Sequence, residues 1–182
     1  MSAPVLVGVD GSQSAFEAVD LAAREAAWRG RPLHIVHAFT WPYQRVPMGP
    51  IPVEAVEAGG RELGEEIVSK AVERARATAP ELDVSGSVVT GGAADVLKER
   101  SREAELVVVG SRGLGGFTGL LLGSVAVHLA SHAHCPVLVK RGRPSPTGDV
   151  LLGVDGSPES AGAVEFAFTE AALRGTGLLA LH

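Results

Sequence analysis

The sequence is short of cysteine, of aromatic residues and of basic charge, and the shortages remove whole classes of function. A single cysteine, Cys135, among 182 residues leaves no intrachain disulfide framework and no multi-cysteine zinc site. Aromatic residues make up only 4% of the chain. A formal net charge of -5 and a pI near 5.7 argue against a general nucleic-acid binder, which needs a basic stripe. No stretch approaches the roughly 18 unbroken apolar residues of a membrane span. The start, Met1-Ser2-Ala3-Pro4, has neither the basic residues nor the apolar run of a secretory signal. No Ser-His-Asp ordering, paired catalytic carboxylates or activated nucleophile emerges either. What is present is a chain that is 46% hydrophobic, too apolar for disorder. It reads as a soluble, cytoplasmic globular protein with room for one domain and a piece of another.

The chain repeats itself. Val5-Leu6-Val7-Gly8-Val9-Asp10-Gly11-Ser12 returns as Val150-Leu151-Leu152-Gly153-Val154-Asp155-Gly156-Ser157. At the same offset, Glu25-Ala26-Ala27 matches Glu170-Ala171-Ala172, Arg29-Gly30 matches Arg174-Gly175, and His37 matches His182. So long a period points to a tandem domain duplication rather than a solenoid. The expected organisation is a full domain over 1–141, a linker over 142–149 and a β-α-β fragment of a second domain over 150–182. A fragment of that size buries too little to fold alone, so it is expected to pack on a neighbouring domain or chain.

Within the first unit, strands and helices alternate. Val5 to Val9 and Leu106 to Val109 are all-apolar runs, the pattern of strands buried on both faces of a parallel sheet. Ser12 can cap a helix that carries Ala18, Leu21, Ala22 and Ala26 on one face and stops at Gly30. Leu33 to Phe39 is a strand. Thr40 to Pro52, with four prolines and a glycine, is a loop long enough to serve as a lid. A helix from about Val53 to Ala79 should turn Val56, Leu63, Ile67 and Ala71 inward. Leu82 to Val89 is a strand, Ala93 to Ser101 a helix, Gly123 to Ala133 a helix and Pro136 to Lys140 the last strand. This alternation implies an α/β fold with a doubly wound open parallel sheet, in which ligands sit beyond the carboxyl ends of the strands.

Two glycine-rich loops follow the strands at Val5 and Leu106, so both can face one crevice. The second reads Gly110-Ser111-Arg112-Gly113-Leu114-Gly115-Gly116-Phe117-Thr118-Gly119-Leu120-Leu121-Leu122-Gly123-Ser124. Its glycines permit positive φ and close approach to a ligand, and its N–H groups can form an anion-binding concavity. Gly123 and Ser124 open a helix whose amino end favours phosphate. A bland alternative is a tight strand-to-helix connection. The loop is too long for a dinucleotide fingerprint, and no Lys follows the glycines as a P-loop requires.

Glycine, two residues, glycine, nine residues, then Gly-Ser describes Gly110, Gly113, Gly123 and Ser124 without gaps. Together with the Val-Gly-Val-Asp-Gly-Ser start and the His134-Cys135-Pro136-Val137 ending, this resembles the nucleotide-binding universal stress proteins. The resemblance implies a five-stranded Rossmann-like sheet in the order 3-2-1-4-5, ATP (or ADP or AMP) with Mg²⁺, and homodimers formed through Pro136 to Lys140. It implies a nucleotide-dependent stress-response regulator with little or no catalysis. An ATP-hydrolysing or nucleotidyl-transferring enzyme and a dimeric scaffold without nucleotide are the other readings. Carried over by position, Gly8, Val9 and Asp10 would contact the nucleotide, with Asp10 at the ribose or at a phosphate-bound Mg²⁺. Asp10 also reads as a plain turn aspartate. His37 and Ala38 would offer backbone groups to adenine. Gly110, Ser111, Arg112, Gly113, Leu114, Gly115 and Gly116 would wrap the phosphates, completed by Gly123, Ser124 and Val125. Many family members carry a basic residue shortly before the last Gly-Ser; here Gly119-Leu120-Leu121-Leu122 stands instead.

His128 and His132, spaced i, i+4 on one helix with His134 close behind, could suggest zinc, but no matched acidic or third helical ligand accompanies them, and helix-surface or capping roles fit better. Cys135 reads as a buried, inert thiol, and Trp28, Phe39 and Trp41 as core or lid packing.

Overall fold

In the computed structural model, residues 2–39, 53–114, 121–142 and 148–182 are described, without the side chains of 53–58 and 159. The loop from Thr40 to Pro52, read above as a lid, lies outside those residues, as does Trp41. The chain divides into two compact units, Met1–Arg141 and Gly142–His182.

The first unit builds strands β1 (Val5–Val9), β2 (Leu33–Phe39), β3 (Val84–Thr90), β4 (Leu106–Gly110) and β5 (Val137–Lys140). Helices α1 (Gln13–Arg29), α2 (Val53–Thr78), α3 (Ala93–Arg100) and α4 (Ser124–His132) alternate with them. All four strand pairings are parallel, in the order β3-β2-β1-β4-β5 expected above. The apolar run Val5–Val9 lies at the centre because both of its faces are covered. α1 and α2 pack on one face, α3 and α4 on the other.

The caps account for the boundaries of α1. Ser12 accepts a hydrogen bond from the Ala15 N–H at 3.2 Å, and Gly30 closes the helix in the left-handed conformation at φ 61°. The α3–α4 face holds a cluster of Leu6, Val36, Leu97, Val107, Val109, Ala126 and Leu129, each nearly or fully buried. Its strand members share one face, Val107 and Val109 lying two apart on β4 as the period of two demands, and Leu97, Ala126 and Leu129 come from the covering helices.

α2 meets the sheet partly as expected: Ala71 is buried and Ile67 half-buried, while the Val56 side chain lies outside the described residues. Leu63, expected to point inward, is 58% exposed, and Val68 and Ala75 are buried instead. The reason lies in two glycines. A Cβ on Gly60 would come within 2.3 Å of the Phe39 ring, and one on Gly64 within 2.9 Å of the His37 ring. The helix presents its bare backbone to these two rings, so an apolar pattern alone misjudges which side faces the sheet. Trp28 is 42% exposed and is not core, contrary to expectation.

The second unit pairs β6 (Val150–Gly153) with β7 (Leu178–Leu181) in parallel. They are joined through a 3₁₀ turn at Pro158–Ser160 and helix α5 (Ala161–Arg174). Gly175 ends α5 at φ 62°, as Gly30 ends α1.

Candidate functional site

A cavity of about 450 Å³ opens beyond the carboxyl ends of β1 and β4. This is the point where strand order reverses, because β1 is followed by β2 and β3 on one side and joined by β4 and β5 on the other. Its inner wall is apolar, formed by Gly8, Val36, Leu97, Val109 and Ala126. Its polar groups come from Asp10 after β1, and from Arg112 and Ser124 in the β4–α4 connection. An apolar chamber of this size with a few convergent polar groups is the usual form of a small-molecule site.

The motif glycines turn out to serve different ends. None of Gly110, Gly113 and Gly123 has positive φ, so conformational freedom is not their reason. A Cβ on Gly110 would sit 2.6 Å from Ser14 Oγ and 2.9 Å from the Ser14 carbonyl carbon and oxygen. That glycine lets α1 close on β4. A Cβ on Gly113 would sit 2.2 Å from Asp10 Oδ2. Gly123 is different, since its nearest neighbours would be at 3.5 Å, an ordinary contact. Gly8 lies beside Leu97, whose Cδ1 would be 2.6 Å from an added Cβ.

The amides of the β4–α4 connection are also divided. Ser111 N–H donates to the Lys140 carbonyl at 3.0 Å, Gly123 N–H to the Ser111 carbonyl at 2.7 Å, and Leu114 N–H to Asp10 Oδ2 at 2.9 Å. The expectation that this whole stretch offers its amides to a ligand is therefore narrowed. The first intrahelical bond of α4 runs from Val127 N–H to the Gly123 carbonyl, and Gly123 has no side chain to cap the helix. Ser124, Val125 and Ala126 thus hold the first-turn N–H groups that a helix leaves without internal acceptors. All three residues line the cavity.

Of the residues singled out in the sequence, Gly8, Val9, Asp10, Ala38, Gly110, Arg112, Gly113, Leu114, Gly123, Ser124 and Val125 come together on this cavity. Gly115 and Gly116 lie outside the described residues. Ser111 does not line the cavity; its backbone ties the neck of the connection. His37 does not line it either. Its ring packs against the α2 side of the sheet and its Nδ1 bonds the Val9 carbonyl at 2.8 Å, while the next residue, Ala38, faces the cavity. The sequence reading missed Val36, Leu97 and Ala126. Alternation along β2 would have found Val36, which shares a face with Ala38. Leu97 and Ala126 come from α3 and α4, whose placement needs the tertiary fold.

The model of the universal stress protein family matches residues 1–141. The chain belongs to that family. Universal stress protein Rv2623 of Mycobacterium tuberculosis is 40% identical over 188 residues, which cover 98% of this chain and 62% of that protein. The chain thus spans less than two thirds of the length of that curated relative. A universal stress protein solved in complex with cAMP is 31% identical, with a TM-score of 0.60 over 78% of this chain and 98% of its own. One from Archaeoglobus fulgidus, solved with dAMP, is 24% identical with a TM-score of 0.52. It covers 76% of this chain and 98% of its own, and at that identity it shows the fold alone.

In this universal stress protein the remaining candidates hold structural places. His128 and His132 stack face to face with ring centroids 4.5 Å apart, and His132 Nδ1 bonds the His128 carbonyl. Among the described residues, no group of three metal-ligating side chains converges. No described helix is long and apolar enough to cross a membrane. Cys135 packs against the Leu6–Val36 cluster, and burial pushes its thiol up to about 11. At pH 8 only about one thiol in a thousand is then ionised, so iodoacetamide should modify native Cys135 far more slowly than the unfolded chain. The native rate should climb with pH up to about 11. A native rate matching that of free cysteine at pH 8 would contradict this.

Proposed function

We propose that this universal stress protein binds an adenine nucleotide in the β1–β4 cavity and acts as a nucleotide-dependent regulator with little or no catalysis. The observation that carries the reading is the uncapped amino end of α4, opening onto an apolar chamber. Its N–H groups and dipole suit a phosphate, and the chamber beneath suits a base and ribose. The relative solved with cAMP supports this ligand class. Asp10 and Arg112 are the charged residues among the described lining, so the site holds little net positive charge. ATP would therefore depend on Mg²⁺ to balance its phosphates, while AMP or a cyclic nucleotide would not. Among the described lining Asp10 is the one carboxylate and Ser124 the one hydroxyl, and Asp10 already accepts two backbone N–H groups, which favours a sensor over an enzyme.

Two further features of the reading concern assembly. β5 is an edge strand, the element a homodimer would use. The Gly142–His182 unit corresponds to the β-α-β start of a second domain. Leu151 is 61% exposed and Leu181 53%, whereas Leu6 and Val36, at the same places in the repeat, are buried under α3 and α4.

Thermal unfolding with ATP, AMP or cAMP, each with and without Mg²⁺, tests the reading. A ligand at a hundredfold its Kd adds about 2.7 kcal/mol to the native state, equivalent to roughly 5–10 °C for a domain of this size. Gly123→Val, which places a branched side chain over the α4 amides, should abolish the shift without unfolding the protein. No shift with any of the three nucleotides at millimolar concentration would defeat the proposal.

A further inference from the structure

The carboxylate of Asp10 is occupied on both sides by the protein itself. Oδ1 accepts the Ser12 N–H at 3.0 Å, and Oδ2 accepts the Leu114 N–H at 2.9 Å. The first bond closes the turn after β1 and has a counterpart in the second unit, where Asp155 Oδ1 accepts the Ser157 N–H at 3.0 Å. A turn of this sequence therefore needs only the first bond. The second spans from residue 10 to residue 114 and joins the two connections that form the cavity mouth. Gly113 is shaped to permit it, because any Cβ there would collide with Oδ2 at 2.2 Å.

We propose that Asp10 is a positioning residue: its carboxylate latches the β4–α4 connection to the β1–α1 turn and so fixes the cavity mouth before any ligand arrives. The inference rests on the nucleotide reading only for its effect on affinity; the latch itself is a property of the ligand-free chain. Each carboxylate oxygen thus accepts one amide N–H of the protein, which commits about half of the carboxylate's four acceptor sites to holding the two connections together. Its benefit to binding is preorganisation: a connection already held in place loses less freedom when a ligand docks. The phosphate contacts then fall to the α4 amino end rather than to Asp10.

Three variants of the whole chain separate this role from direct contact. Asp10→Asn keeps one acceptor oxygen for the Ser12 turn but offers an amide group where Leu114 needs an acceptor. Gly113→Ala breaks the latch from the other side and leaves the carboxylate intact. The double variant completes a cycle. In ligand-free protein, hydrogen exchange of the Leu114 amide should quicken at least tenfold in either single variant, while exchange in β1 and β4 stays unchanged. In binding, both single variants should weaken AMP and ATP by a similar factor, about tenfold, with or without Mg²⁺, and the double variant should lose little more. Unchanged Leu114 exchange in ligand-free Asp10→Asn would overturn the latch. So would a loss confined to Mg²⁺-ATP, which marks a metal contact, or additive losses in the double variant. If the wild-type protein bound no nucleotide, the functional reading would fall while the exchange measurement still decided the latch.

Discussion

Gly110→Ala is expected to cost about 3 kcal/mol of stability, an overpacking penalty at the upper end of the ordinary range. The added methyl would meet Ser14 Oγ at 2.6 Å and the Ser14 carbonyl carbon and oxygen at 2.9 Å. A hydroxyl can rotate away, but a carbonyl inside a helix cannot. α1 must lift from β4, and the alanines it buries, Ala15, Ala18, Ala22 and Ala26, leave no slack because they already form the smallest possible interface. Adding Ser14→Ala should restore only a minor part of the loss, since the backbone contacts remain. Gly123→Ala gives the contrast. Its methyl meets nothing closer than 3.5 Å, so only the poorer N-cap preference of alanine applies, at most about 1 kcal/mol. Urea titrations of the three variants decide the matter. Equal losses at Gly110 and Gly123 would mean that the motif glycines do share one purpose.

That contrast shows where the sequence stops being informative. Strands β1 and β4 were legible because a strand covered on both faces is written as an unbroken apolar run. The limits of α1 were legible because Ser12 and Gly30 are local cap signals. The strand order followed from the family resemblance, and the site's location from the two glycine-rich loops at strand ends. What each glycine does was not legible, because the reason for Gly110 is Ser14 and the reason for Gly113 is Asp10, both far away in sequence. The exposure of Leu63 on α2 was hidden for the same cause. Its sheet-facing side is marked by Gly60 and Gly64, which carry no apolar signal, and by rings on β2 that fill the space. His37 was named for its backbone; one step along a strand reverses the face, so the Ala38 side faces the cavity while the His37 ring turns to the α2 side.

The second large effect lies at the opposite end of the sheet. Glu25 is fully buried although it is charged, and Arg29, one turn along α1, is its ion-pair partner with a side chain only 5% exposed. Arg29 Nη1 also donates to the Glu25 carbonyl at 3.3 Å, and Arg29 Nε lies 3.8 Å from Glu105 Oε1, which in turn pairs with Arg31. The group ties the end of α1 to the entrance of β4. Burying two charges is expensive, and their attraction offsets that expense only while both are present. Arg29→Met should therefore destabilise the first unit by about 3–5 kcal/mol, because the Glu25 carboxylate loses its guanidinium while staying out of water. Glu25→Leu combined with Arg29→Met should recover most of the loss, since an apolar pair of similar volume carries no desolvation cost. Arg174→Met in the second unit is the internal comparison. The Arg174 side chain is 26% exposed against 5% for Arg29, so water can share in solvating Glu170 and the loss should be clearly smaller. Nucleotide affinity should be unchanged in Arg29→Met protein that remains folded, because the pair stands at the amino ends of the strands and the cavity at their carboxyl ends. If the double variant proved no more stable than Arg29→Met alone, the buried carboxylate would not be the source of the effect, and the lost packing of the arginine stem would be.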